Sequence, residues 1–251
     1  MSSLRPRLRR LWNRLLPHAR LPLRVSPGLW WIAENDAVSD MLFEGTFERD
    51  ERALVDAFVK PGMTVLDVGA HAGLYTMIAA KRARPGGRVI AFEPSARERA
   101  RLERHLRING LADVAIEPVA LGAVDGEVDL FVVETNQTGC NSLRRVPGER
   151  AIATRVPIRR LDAYAAERGI DRVDFVKMDI EGGEAGALAG AEELLRMRKT
   201  TWFVAVHSRE LAHQCTAVFE GHGYRVCELD GADLPPGYDG STGELVAVPA
   251  R

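Results

Sequence analysis

Apolar residues at positions 4, 8, 11, 12 and 15 fall on one helical face, with arginines around them, and Pro17 should end the helix they predict. Residues 29–50 are mixed. Trp30 and Trp31 are followed by Asp36, Asp40, Glu44 and Glu48, which reads as a lid or entry segment before a core helix at 50–59. Pro61-Gly62 then turns the chain into a β-favouring run at 64–68, and from there strand-like and helix-like runs alternate. A helix at 74–84 closes at Pro85-Gly86-Gly87, a strand occupies 88–92, and a charged helix at 97–108 closes at Asn109-Gly110 before a third strand at 114–121. The rhythm then changes. Two β-like runs, 128–133 and 155–158, flank a polar loop at 136–145 and predict an antiparallel ribbon inserted between the third and fourth core strands. An apolar strand ending at Asp179, a helix to about 197, a strand at 201–206, a helix at 210–221 and strands at 224–229 and 244–248 complete the pattern. Such alternation predicts an α/β fold with a mainly parallel sheet.

Charge alters the picture locally. The chain has 251 residues, and its 34 Lys plus Arg nearly balance 35 Asp plus Glu, so no global field points to nucleic acid. Residues 1–24, however, hold seven arginines and no acid. Residues 1–28 therefore read as a basic extension and 29–251 as one domain. A basic amphipathic helix over 4–16 suits peripheral contact with an anionic membrane or docking to a partner; a flexible or self-docked extension is the plainer alternative. Cys140, Cys215 and Cys227 form no metal or disulfide pattern and fit a reducing compartment, so a cytoplasmic location is expected, with no metal site and an open oligomeric state. No apolar run of about 18 residues is present, and arginines interrupt any secretory signal.

The candidate chemistry lies at strand ends. Asp67 precedes a loop punctuated by Gly69 and Gly73, with His71 between them. Glycines let a ligand approach the backbone, and the helix start behind them suits an anionic group. An ordinary strand–helix turn is the bland alternative. Glu93, followed by Pro94 and Ser95, stands at the tip of the second strand, one strand–helix–strand unit after the loop. An acid there is placed to accept hydrogen bonds from a ribose diol, or else merely caps the next helix with Ser95. Asp179 and Glu181 end another strand, where they are suited to hold substrate, bind a cation or act as a base, or simply complement a helix dipole. His207 ends the next strand. A dinucleotide fingerprint is excluded, because His71 stands where its second glycine belongs and a side chain there would crowd a pyrophosphate.

The runs Val65-Leu66-Asp67-Val68-Gly69-Ala70-His71-Ala72-Gly73, Phe92-Glu93-Pro94-Ser95, Asn141-Ser142-Leu143, Arg160-Leu161-Asp162 and Lys177-Met178-Asp179-Ile180-Glu181-Gly182-Gly183-Glu184, with Phe43-Glu44-Gly45-Thr46-Phe47-Glu48 before them, resemble the FkbM family of S-adenosylmethionine-dependent methyltransferases. The resemblance spans about residues 30–225. It implies a Rossmann-like, seven-stranded, mainly parallel sheet with helices on both faces, the class I methyltransferase fold. It also implies S-adenosyl-L-methionine as cofactor and methyl transfer, usually to a hydroxyl of a glycan, lipid or natural product. By the same resemblance Asp67, Gly69 and Gly73 belong to the cofactor loop, Glu93 binds ribose, and Asp179 stands beside the reactive end of the cofactor. Two departures stand out. Pro118-Val119-Ala120 offers no acid for the adenine amine, and His71 replaces the usual Asn or small residue. An alcohol acceptor must lose its proton; His207 is favoured over Asp179 as the base, because an ionised Asp is a weak base toward an alcohol. A catalytically silent cofactor- or surface-binding module is the alternative from another functional class.

Overall fold

The computed structural model describes residues 4–133, 141–143, 150–235, 238–240 and 243–250. Helix α1 (Leu4–Leu15) leads into a hairpin, β1 (Leu21–Ser26) antiparallel to β2 (Leu29–Ala33), and then into α2 (Ala37–Glu44) and α3 (Arg49–Phe58). The expected lid is thus a hairpin and a capped helix. Asp36 accepts the Ser39 amide at 2.8 Å, and Gly45, at φ 76°, closes α2. The boundary expected at residue 28 falls in the hairpin turn, and Leu21, Leu23 and Val25 pack against the buried core. Helix α1 docks on α2 through buried Arg9, whose Nε lies 2.7 Å from Asp40.

The β/α units follow: β3 (Thr64–Val68), α4 (Leu74–Ala83), β4 (Arg88–Phe92), α5 (Ala96–Ile108) and β5 (Ala115–Glu117). The third strand expected at 114–121 is split. Pro118 has no amide hydrogen to continue a ladder, so β5 stays in the main sheet and β6 (Ala120–Leu121) joins another. There β6 runs parallel to β8 (Ala151–Arg159), which pairs antiparallel with β7 (Gly126–Val133); this is the expected insertion. Of the polar loop at 136–145, only 141–143 lie within the described residues. Beyond come α6 (Leu161–Glu167), β9 (Phe175–Met178), α7 (Glu184–Ala189), α8 (Glu192–Met197), β10 (Thr201–Ala205), α9 (Arg209–Gly221), β11 (Tyr224–Cys227) and β12 (Glu244–Pro249). One helix to residue 197 was expected, and two are found. The Asp162 carboxylate accepts the amides of Glu193 and Leu194 and so caps a separate α8.

The main sheet has seven strands in the order β11-β12-β10-β9-β3-β4-β5, with β12 antiparallel to both neighbours. Strand order reverses between β3 and β9, and the crevice at the carboxyl ends of such strands is where ligands bind in open α/β sheets. Side chains alternate across the sheet: Val65 and Phe175 pack under the hairpin and α3–α5, while Leu66 and Val176 pack under α6–α9.

A neutral histidine ties the hairpin to this core. His105 is fully buried and stacked on Trp31 with ring centroids 4.0 Å apart. Its Nε2 accepts the Ile32 amide at 3.0 Å, which leaves Nδ1 to donate to Ala72 O at 2.7 Å. Burial lowers its pKa from 6.5 to about 4. The unfolded chain takes up this proton near pH 6.5 and the folded chain only near pH 4, so the stabilisation is complete above 6.5 and lost as pH falls between the two. Urea unfolding should show a drop of about 3 kcal/mol across that window from this residue. The drop should shrink in His105→Gln, which cannot titrate.

Candidate active site

Asp67 and Lys177 are cross-strand partners on β3 and β9, facing the same side of the sheet beneath α4. Burying an ammonium this deeply requires opposite charge, and two carboxylates provide it. Lys177 Nζ lies 3.6 Å from Asp179 Oδ2 and 3.9 Å from Asp67 Oδ1, with the Tyr75 ring 4.9 Å away. Burial alone would lower the Lys177 pKa, but Asp179 and Asp67 raise it, so the group stays charged. Asp67 Oδ2 accepts the Thr76 hydroxyl at 2.5 Å, while Oδ1 is buried without a hydrogen-bond partner. Tyr75 in turn donates to Glu48 Oε2 at 2.5 Å.

The loop after β3 is bent by close packing. Gly69, at φ 80°, would place a Cβ 1.9 Å from Asp179 O, so no side chain fits there. Gly69 and Ala70 both donate to Phe92 O, and His71 donates to Glu93 Oε2 at 2.7 Å. The His71 ring turns to α5, with Nε2 3.2 Å from buried Glu98. Glu93 Oε1 accepts the Ser95 amide at 2.8 Å, and Ser95 caps α5. Glu93 is buried, and burial pushes its pKa upward.

At the far side of the switch point, Asp179 follows β9 and His207 follows β10. His207 Nε2 is 3.0 Å from Asp179 Oδ1 and 3.6 Å from Glu181 Oε2. The bond to Asp179 raises the His207 pKa to about 9. Burial alone would raise Asp179, but Lys177 and His207 hold it at about 2. Burial raises Glu181, and although His207 pulls against it from 3.6 Å, burial together with Asp179 and Glu184 lifts it to about 7. Three of the four described non-glycine residues at positive φ, Glu48, His71 and Glu181, belong to these loops, the usual place for stored backbone strain. Asp179, Glu184 and His207 bring one ligand atom each within 4.8 Å of one another. The Glu184 oxygens accept the Ile180 and Gly182 amides, and Asp179 Oδ1 lies 3.0 Å from His207 Nε2, so each of the three already has a partner within the protein.

Gly69, His71, Glu93, Pro94 and Asp179 line a cleft with about 560 Å³ of empty space, counted with the solvent it opens to. The rest of its lining is mainly apolar, made by Val119 and by Ala120, Leu121 and Leu130 of the inserted sheet, with Asn141 and Leu143 beside them. Ser142 Oγ donates to Glu181 O at 2.7 Å and fastens that wall across the cleft. Of the other nominated residues, Asp67 and Ser95 are buried beneath the cleft, Gly73 packs on Leu102, and His207 stands 43% exposed outside it. Sequence reasoning assigned no role to Lys177, Tyr75 or Glu48. A lysine inside an otherwise apolar run was the one available signal.

The sequence profile described as the Methyltransferase FkbM domain matches residues 67–226, well over half of the chain. The chain belongs to the FkbM methyltransferase family. The cofactor of that family is S-adenosylmethionine. Among curated relatives, the 31-O-demethyl-FK506 methyltransferase FkbM of Streptomyces tacrolimicus is 29% identical over 233 residues, covering 77% of this chain and 82% of that protein. The 2-O-methyltransferase NoeI of Sinorhizobium fredii is 27% identical over 166 residues, 57% of this chain and 63% of that protein. The AMB antimetabolite synthetase AmbE of Pseudomonas aeruginosa is 26% identical, and the match takes in 74% of this chain but only 11% of AmbE. The crystal structure of methyltransferase FkbM from Methylobacillus flagellatus superposes with a TM-score of 0.51 at 17% identity, covering 84% of this chain and 54% of that one, and so shares the class I methyltransferase fold.

Proposed function

We propose that this FkbM-family chain transfers a methyl group from S-adenosylmethionine to a hydroxyl of a small-molecule, glycan or lipid acceptor. The observation that carries the reading is the Asp179–His207 pair beside the switch-point cleft. The residues present fit the cofactor. The apolar wall at Val119–Leu121 suits a planar base, and Glu93 keeps acceptor capacity for a diol. The anionic Asp179 end suits a cation, and Gly69 leaves the backbone open to close approach. S-adenosylmethionine, when bound, supplies an electrophilic methyl on a sulfonium and a neutral thioether leaving group.

The chain's own part is to align the acceptor oxygen and take its proton. Asp179 holds the His207 Nε2–H, which leaves Nδ1 as the atom that receives the proton. This makes Asp179 the positioning residue and His207 the catalytic base. The hydroxyl specificity is supported by the two relatives whose names specify O-methyl transfer.

Calorimetry with S-adenosylmethionine tests the cofactor reading. One site is expected, with affinity weakened roughly ten- to hundredfold in Glu93→Gln, the range for a hydrogen bond to a charged acceptor. Binding of NADH in its place would overturn it. Cofactor binding without methyl transfer to any hydroxyl acceptor would point to a silent module.

A further inference from the structure

The hairpin, α2, α3 and α4 wall a second cleft that shares no lining residue with the first and holds about 2030 Å³ of empty space continuous with solvent. Its apolar surface comes from Leu23, Val25, Leu42, Phe43 and Ile78. Around it stand Arg24, Arg49, Arg52, Lys81 and Arg82 against one carboxylate, Asp56. Asp56 pairs with Arg82 at 2.5 Å. Arg52 and Lys81 donate to the carbonyls of Val25 and Gly28, neutral partners that leave their charge uncancelled, and Arg52 Nε is buried without a hydrogen-bond partner. Exposed Arg24 and Arg49 form no ion pair among the described residues. Four cationic charges are therefore left over an apolar floor.

A second observation lies beside it. Helix α2 gives Leu42 and Phe43 to the cleft, and its Asp40 holds α1 through Arg9 and Asn13. Docked this way, α1 and the residue after it leave Leu11, Leu15 and Leu16 at 53%, 66% and 48% exposure, next to exposed Arg14. Apolar side chains that enter the acyl boundary, set among cations that meet headgroups, are the physical requirements of an interfacial anchor. Among the described residues no helix is long and apolar enough to cross a membrane.

We propose that the cleft seats the headgroup and first methylenes of an anionic phospholipid in a bilayer, with the α1 leucines inserting beside it. Charge complementarity selects the headgroup, and the floor accepts the methylenes that follow it. This site does not depend on the methyl-transfer reading, and its test measures no turnover.

Full-length protein is floated with vesicles of phosphatidylcholine alone and with one-third phosphatidylglycerol. Flotation with the anionic vesicles only is expected, weakened at least about tenfold in R24E/R49E, since each cation near an anionic surface contributes to binding. Truncation before residue 25 is unsuitable, because it removes most of β1; L11S/L15S/L16S in the full chain tests the helix instead and should also weaken binding. Unchanged unfolding midpoints serve as the check on folding, with R24Q/R49Q as the milder pair. Equal flotation on both vesicle types, no flotation on either, or full binding by both arginine variants would overturn the proposal. Binding of short-chain phosphatidylglycerol monomers without any vesicle binding would also overturn the bilayer as occupant, and would mark a site for a free amphiphile.

Discussion

His207→Ala is expected to lower kcat/KM by roughly a hundred- to ten-thousandfold at its optimum, the usual contribution of a positioned general base. The wild-type profile should identify the group. Hydrogen bonding to Asp179 raises His207 to about 9, so the imidazole is mostly protonated at neutral pH and base-competent in only about one molecule in a hundred. The kcat/KM of the wild-type protein should therefore climb about tenfold per pH unit and level off near pH 9, the direction set by loss of a proton from the free protein. In Asp179→Asn the main cause of the elevation is gone, so the limb should move toward the ordinary histidine range while the maximal rate falls. A flat profile in both wild type and the histidine variant, with retained turnover, would remove His207 from the chemistry. A limb that levels near pH 7 and vanishes in Glu181→Gln would transfer the role to Glu181, which burial lifts to about 7.

Lys177→Met should be the most destabilising single change at the site, by about 3–5 kcal/mol, because it leaves fully buried Asp67 beside half-buried Asp179 without their shared cation. The same change removes the ammonium 3.4 Å from Gly69 O, so the loop shifts and turnover falls at least about a hundredfold. The pH dependence has a definite sign. Burial already raises the Asp67 carboxyl against the pull of Lys177, so without Lys177 the folded protein holds it further above its unfolded pKa and binds more protons than the unfolded chain. The deficit is then largest at high pH and shrinks as pH falls through the raised value. Denaturant unfolding at neutral and mildly acidic pH measures this directly. Adding Asp179→Asn to Lys177→Met should recover part of the loss, and a strictly additive double variant would mean that the two groups do not interact.

The strands at 64–68 and 88–92 were legible because a parallel strand buried on both faces is a short apolar run bounded by glycine and proline. Asp67, Glu93, Asp179 and His207 were placed at strand ends for the same reason, since each immediately follows or interrupts such a run. The hairpin at 21–33 was not. Its alternation is short, carries Pro22 and Arg24, and merges with a basic stretch that reads as an extension, so the docking of its Trp31 on His105 appears only in three dimensions. Lys177 was visible in the sequence but its purpose was not. A cross-strand pair between β3 and β9 depends on which strands become neighbours, and no local pattern carries that information. The same holds for Glu48 and Tyr75, which meet only because α3 and α4 pack together.

Strand β12 is the last to leave the ribosome among the strands described, yet it lies in the sheet between β10 and β11. Vectorial synthesis therefore delivers β9 and β10, with Asp179 and His207 after them, while one edge of β10 is still unpaired. Backbone groups on that edge, including Phe203 and Val204, find their partners in Val246 and Leu245 only when those residues emerge. Until then the nascent chain presents an open apolar strand edge, the kind that pairs with other chains. Ribosomal pausing or chain termination in the β11–β12 connection should thus yield aggregates, whereas a stop after β12 should not. Expression yield would then depend on synthesis of β12, far along the chain from the loop that follows β3.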